Sequence, residues 1–300
     1  MSAPTPGLEP AAVPTARYGE VFDRGYQHYD GPRYGRGYAI WALVRYSMKR
    51  ALGFKKGWGA KIIPILLYLG VILPVVISIG IRAFLPNVNV LDYAEYFAFI
   101  FVIEGIFVAT IAPEMLCGDR RENVLALYFS RAITRADYLL AKLLATAILT
   151  LTVSCVPAVI LWLGRQLLDD SPLSAMRDNV GDLGRILLTG VVIAFYLGAI
   201  GLMISSFTGR KSIAVAIIVF GFLIAEAIAG SLAVAVSGES DYARYIDFLS
   251  PTLTVGSFVA RLFEGATSDN DLSIGLTGIV IAVVIALCCA VMYWRYVPND

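Results

Sequence analysis

Two carboxylates interrupt long apolar runs of this sequence, Glu104 and Glu226. An ionisable group inside an apolar helix costs roughly 2.5–3.5 kcal/mol on insertion scales, so it normally faces a bundle interior or water. Each acid reads in one of two ways: a polar point on a translocation route, or a hydrogen-bonded residue at a helix–helix contact. Glu104 leans to the contact, and Glu226 stays open between the two. Nothing in the spacing brings the acids together, so paired-carboxylate hydrolysis is not expected.

The other residue sets that carry enzymatic chemistry are missing from the sequence. It holds no G-x-S-x-G, H-E-x-x-H or C-x-x-C pattern. Its single histidine, His28, lies in a tyrosine-rich N-terminal arm and reads as a solvated surface residue. Gly209-Arg210-Lys211-Ser212 lacks the glycine spacing with which a P-loop cradles phosphates, so ATP hydrolysis by this chain alone is not expected. Cys117, Cys155, Cys288 and Cys289 fall in or beside apolar runs and read as small apolar helix residues, not as a disulfide or metal set. The expectation is a non-enzyme with no catalytic residue, no metal and no cofactor of its own.

The elements that would position Glu104 and Glu226 follow from composition. Of 300 residues, 58% are hydrophobic and 16% charged, with mean hydropathy +0.73. Soluble domains are nearer 45–50% apolar and 25% charged. A bilayer absorbs that excess, because about 20 consecutive apolar residues span its hydrocarbon. Six windows qualify: 62–81, 96–112, 143–163, 186–207, 213–236 and 272–292. A spanning segment must satisfy its own backbone, so each is a helix. The fold class is therefore all-α integral membrane, with six transmembrane helices. Small residues recur every four positions in the last two: Gly221, Ala225, Ala229, Ala233 and Ser237, then Gly278, Ala282, Ala286 and Ala290. Such stripes allow close helix approach, either against neighbours in the chain or across a subunit interface.

The organisation reads as a flexible arm over 1–35, an interfacial helix over 36–60, a permease-type bundle over 61–295 and a short tail over 296–300. The arm carries Pro4, Pro6, Pro10 and Pro14 and no apolar core of a signal peptide, which leaves the first span as the insertion signal. In the interfacial helix, Ile40, Leu43, Val44, Ser47 and Ala51 share one face. Arg45, Lys49 and Arg50 supply charge, and Trp41 suits headgroup depth. With a cytoplasmic N-terminus, 18 of the 24 Lys and Arg residues fall inside, in accord with the positive-inside bias. Both termini are then cytoplasmic and the membrane is the cell membrane. Net charge is +1, which names no partner beyond membrane lipid; no nucleic-acid partner is expected. The external loop over 237–271 is expected to hold short helices broken at Pro251.

The loop over 113–142 carries the most information. It holds a charged cluster, Asp119-Arg120-Arg121-Glu122, then a short apolar face of Val124, Leu125, Leu127 and Tyr128. Thr134 stands three residues before Asp137, a capping-box-like helix start. The loop is therefore expected to contain a helix of its own. Its charges and apolar patch suit a partner, the alternative being a plain connection on the membrane surface.

Two stretches carry a family resemblance: Glu114-x-x-x-Gly118-Asp119-Arg120-Arg121-Glu122-Asn123-Val124-Leu125-x-Leu127 and Ser130-Arg131-Ala132-Ile133-Thr134-Arg135-x-x-Tyr138-x-x-x-Lys142. With Leu249-Ser250-Pro251 and the layout of most of the chain, they resemble the type-two ABC transporter permeases. Ala132 departs from the pattern, since many members carry proline there. The resemblance implies a permease subunit of an exporter, dimeric with a second copy or a sister permease. Two ABC ATP-binding subunits would supply ATP and magnesium. The loop between the second and third spans would be the coupling helix, braced by the interfacial helix. The competing readings are a secondary transporter, which would show an internal repeat that is not visible, and a non-transporting membrane assembly subunit.

Overall fold

The computed structural model describes residues 31, 34–54, 57–85, 90–125, 128, 133–236, 243–264 and 273–296. Contacts divide the chain into Met1–Tyr34 and Gly35–Asp300, and the second unit carries the architecture. His28, Leu127, the stretch Ser130-Arg131-Ala132, Ser237 and the tail beyond Tyr296 lie outside the described residues.

Among the described residues the structure is helical. In chain order the helices are α1 (Arg36–Ala51), α2 (Gly59–Phe84), α3 (Tyr93–Arg121), α4 (Arg135–Leu167), α5 (Pro172–Asp178), α6 (Val180–Phe207), α7 (Lys211–Val236), α8 (Pro251–Glu264) and α9 (Ile274–Tyr296). A 3₁₀ turn, Ala243–Leu249, precedes α8. Six helices are long and apolar enough to cross a membrane: α2, α3, α4, α6, α7 and α9. Five of the six expected windows sit within one of them, and the sixth, 272–292, overlaps α9 from Ile274 onward.

The six are not equivalent. In α3, α4 and α6 between 56% and 61% of the apolar window is buried, against 17% in α7 and in α9. So α3, α4 and α6 form the centre and the others surround it. Tyr96, Phe97, Ile100, Phe107, Ile111 and Met115 share one face of α3 and have almost no exposed surface, whereas Phe99, Val102 and Ile106 on another face are exposed. The α3–α6 contact needs a glycine. A Cβ at Gly201 would stand 2.5 Å from Val108 Cγ1 and 3.2 Å from Ala112 Cβ. Close approach matters here because lipid gives helices no hydrophobic drive to associate. The small-residue stripes behave differently. Ala229 is buried, but Ala233, Ala282, Ala286 and Ala290 are exposed on the surface of the single chain.

The second span departs from its expected limits. Pro113 was expected to open a loop; instead α3 runs through it to Arg121. Proline removes one backbone donor, yet membrane helices tolerate it when neighbours hold the flanking turns. Here Ile111, Ala112 and Glu114–Cys117 are all buried against neighbouring helices. What connects α3 and α4 is thus only 122–134. The short helices expected within 237–271 are present among the described residues, with Pro251 at the first position of α8. The short helix α5 between α4 and α6 was not anticipated.

Gly201→Val is expected to destabilise the bundle by about 1–3 kcal/mol through overpacking at the α3–α6 contact. A thermal unfolding midpoint in detergent equal to the native one would show that the contact can yield.

Candidate functional site

The charged loop and α1 meet at one end of the bundle, and the sequence dictates how. Helix α1 buries Leu43, Val44, Ser47 and Ala51, the face expected from spacing, and exposes Trp41, Arg45 and Lys49. It stops at Gly53, whose φ of 73° is open to glycine. Phe54 N–H reaches Lys49 O at 3.1 Å and Gly53 N–H reaches Arg50 O at 3.0 Å, the paired bonds of a Schellman cap. The same device ends α3. Asn123 takes φ 53°, while Val124 N–H bonds Asp119 O at 3.2 Å and Asn123 N–H bonds Arg120 O at 3.3 Å. Asparagine is the usual substitute for glycine at that position. Helix α4 starts with the expected capping box: Asp137 N–H donates to Thr134 Oγ1 at 3.2 Å, and Thr134 N–H to Asp137 Oδ2 at 3.0 Å.

Between these ends lies a buried ionic cluster centred on Asp119, which has no exposed surface. Its Oδ1 accepts from Arg50 Nη1 at 2.9 Å. Its Oδ2 accepts from Tyr138 Oη at 2.9 Å and pairs with Lys142 Nζ at 2.7 Å. Lys142, 1% exposed, also donates to Ser47 Oγ of α1 at 3.0 Å. Arg50 continues outward to Glu122 at 2.7 Å and approaches Glu114 at 4.0 Å. Burial opposes the Arg50 charge, but the carboxylates of Asp119, Glu122 and Glu114 outweigh it and hold its pKa above the ordinary arginine value. The Tyr128 phenol beside the cluster is pushed up to about 12, first by burial and then by the charge of Asp119.

Further ties surround the cluster. Arg36 grips Asp137 with Nε at 2.8 Å and Nη2 at 2.6 Å, so the capping residue of α4 also holds α1. Lys211 pairs with Glu114 at 2.8 Å. Arg120 donates to the carbonyl of Ser206 near the end of α6, which Arg295 of α9 also reaches at 3.0 Å. A cation among the last carbonyls of a helix is favoured by its dipole.

This geometry revises the loop expected from sequence. Asp119 was expected to offer its charge to a partner; it is spent inside the chain, and Glu114 likewise faces Lys211 and Arg50. Gly118 sits under the Arg50 guanidinium, which a Cβ would strike. Arg50 turns into the bundle, unlike Arg45 and Lys49. Leu125 and Tyr128 pack on the core instead of forming an open patch, and Val124 is half-buried. Tyr128 N–H donates to Val124 O at 3.1 Å. Arg121, Glu122 and Asn123 remain exposed.

The two acids of the apolar runs are not brought together. Glu104 is fully buried in α3, and one oxygen accepts the Ser154 hydroxyl of α4 at 2.5 Å. Its other oxygen has no hydrogen-bond partner among the described residues. It is a contact between central helices and lines none of the clefts described below. Glu226 accepts from the Ser250 hydroxyl. Ser250 Oγ in turn accepts the Thr252 and Leu253 N–H groups at 3.2 and 3.4 Å, which caps α8. Glu226 also borders an apolar cleft of ≈ 330 Å³ between α3 and α7.

Sequence reasoning gave Lys142 and Tyr138 no role of their own. A lone lysine inside an apolar helix asks for an anionic partner, and that signal could have found the Asp119 pair. Asn123 after two basic residues was a readable helix stop.

The family model described as ABC-2 family transporter protein matches residues 76–294. Comparison with curated proteins returns no match.

Arg50→Ala removes one partner of a fully buried carboxylate and is expected to cost on the order of 3 kcal/mol. Arg36→Ala removes an exposed guanidinium and is expected to leave the unfolding midpoint near the native value. Equal shifts for the two variants would contradict the distinction between core and rim.

Proposed function

The chain belongs to the ABC-2 family of transporter proteins, and from that premise we propose that it is the permease of an ATP-driven exporter whose ATP is hydrolysed by a separate subunit. ATP and magnesium belong to that partner. A second copy or a sister permease completes the pathway, and the exposed small-residue faces of α7 and α9 suit such pairing. The basic end of the bundle faces the cytoplasm with both termini, and the membrane is the cell membrane.

The observation that carries this reading is the rigid mounting of the loop. The exposed tip, Glu122 and Asn123 with the outer edge of Val124, stands on a helix end locked to α1 and α4 by buried ion pairs. A partner seated on the tip pushes α3, α4 and α1 together. Buried pairs do not yield piecemeal, because separating one partner leaves an uncompensated charge. Movement at an ATPase surface therefore reaches the central helices as a whole-helix displacement. A tip mounted on flexible connections would absorb it locally.

The test is affinity purification of the tagged chain in mild detergent, scored for a co-purifying ATPase. The native chain is expected to bring one down, and Glu122→Ala with Val124→Asp to reduce recovery at least about tenfold with the unfolding midpoint preserved. No ATPase with the native chain would overturn the proposal. Undiminished recovery with the variant would move the docking site elsewhere. An ATPase recovered without any transport in vesicles would favour an assembly subunit.

A further inference from the structure

Beside the braced loop, the start of α7 borders a cleft of ≈ 760 Å³ with two unlike halves. Its mouth is basic and polar, formed by Arg121 from the end of α3 and by Arg210, Lys211 and Ser212. Lys211 is held by Glu114, but Arg121 and the Arg210 guanidinium have no anionic partner among the described residues. The N-terminal turn of α7 adds its positive dipole end to the mouth. The other half is apolar, walled by Val215, Ala216, Val219 and Phe220.

Val219 also borders the second cleft, of ≈ 330 Å³, where Phe101, Val102 and Ile106 of α3 face Phe222 and Leu223. The two clefts therefore run end to end along one face of α7. From Ser212 to Leu223 that face rises about 16 Å at 1.5 Å per residue. One leaflet of bilayer hydrocarbon is about 15 Å, half of the usual 30 Å core. A groove with cations at one end and a leaflet's depth of apolar wall has the dimensions of one lipid.

We propose that this groove binds an anionic phospholipid of the leaflet on the basic side. Its phosphate lies between Arg121, Arg210 and Ser212, and one acyl chain lies along Val215 and Val219 towards Leu223. A zwitterionic lipid brings its own cation to a mouth where the Arg121 and Arg210 guanidiniums already face no carboxylate among the described residues, so net negative charge is what the site selects. The apolar half excludes a soluble anion as the main occupant, because a free phosphate gains nothing from it. The site rests on the membrane topology proposed above but not on ATP coupling, since lipid binding needs no ATPase.

The experiment uses the full chain, purified alone and exchanged into nanodiscs of phosphatidylglycerol and phosphatidylcholine in equal amounts. Lipid retained on release into detergent is counted by native mass spectrometry. The native chain is expected to retain phosphatidylglycerol in preference to phosphatidylcholine. Removal of two charges by Arg121→Gln with Arg210→Gln is expected to lower that occupancy about thirtyfold. Arg121→Lys with Arg210→Lys is expected to restore most of it, which separates lost charge from damaged folding. Val219→Trp, which fills the groove where the clefts meet, is expected to reduce occupancy with the cations intact. Inorganic phosphate is expected not to displace the lipid. Equal retention of the two lipids by the native chain overturns the proposal, as does undiminished phosphatidylglycerol on the glutamine variant. Complete displacement by inorganic phosphate overturns it too, by reducing the site to an anion-binding rim. Glutamine substitutions that lower ATPase recovery yet spare lipid retention would also overturn it, making the mouth a protein-docking surface.

Discussion

A carboxylate with no access to solvent needs its counter-charges at hydrogen-bond distance, and Asp119 fixes the basic end of this bundle by that need. Arg50 arrives from α1, Lys142 and Tyr138 from α4, and the acid itself from the last turn of α3. Desolvating such charges is expensive, so the cluster is not evidently a source of net stability. It constrains geometry instead. The relative positions of α1, α3 and α4 that keep every charge paired form a small set, and the amphipathic α1 is thereby drawn onto the bundle.

The rest of the chain handles polarity inside an apolar fold with fewer groups. Ser154 covers one oxygen of Glu104, and Ser250 covers Glu226 while capping α8. Gly201 lets α3 and α6 approach without a side chain between them. The outcome is a buried trio, α3, α4 and α6, with α2, α7 and α9 more open to their surroundings. Open faces on α7 suit the two proposed partners, a second permease and a lipid in the groove along α3.

Local features of this fold were legible in the sequence because their signals are local. Six apolar windows named six spanning helices, Thr134 and Asp137 announced the start of α4, and periodicity chose the buried face of α1. Pro113 misled, since its cost to an isolated helix is overridden by packing on both sides. The cluster was illegible for a different reason. Arg50 and Asp119 are 69 residues apart, and Ser47 and Lys142 are 95 apart, separations at which no periodicity speaks. A run such as Asp119-Arg120-Arg121-Glu122 looks like a solvated face, whereas the helix turns Asp119 inward and leaves Arg121 and Glu122 outside. The left-handed Asn123 decides where the chain then turns, and that depended on one residue identity read at a helix end.

If the cluster is one unit, its members must be coupled energetically as well as adjacent. The most direct measurement is a double-mutant cycle on thermal unfolding in detergent, with Asp119→Asn, Lys142→Met and the pair. Asp119→Asn leaves the buried Lys142 without a carboxylate and Lys142→Met leaves Asp119 with Arg50 as its one remaining cation among the described residues, whereas the pair removes both charges. The account predicts that the double variant loses less stability than the two single losses added together, with an interaction of at least about 1 kcal/mol. Losses that simply add would mean that Asp119 and Lys142 are neighbours without coupling, and would contradict the rigid mounting on which the transmission of force from the loop depends.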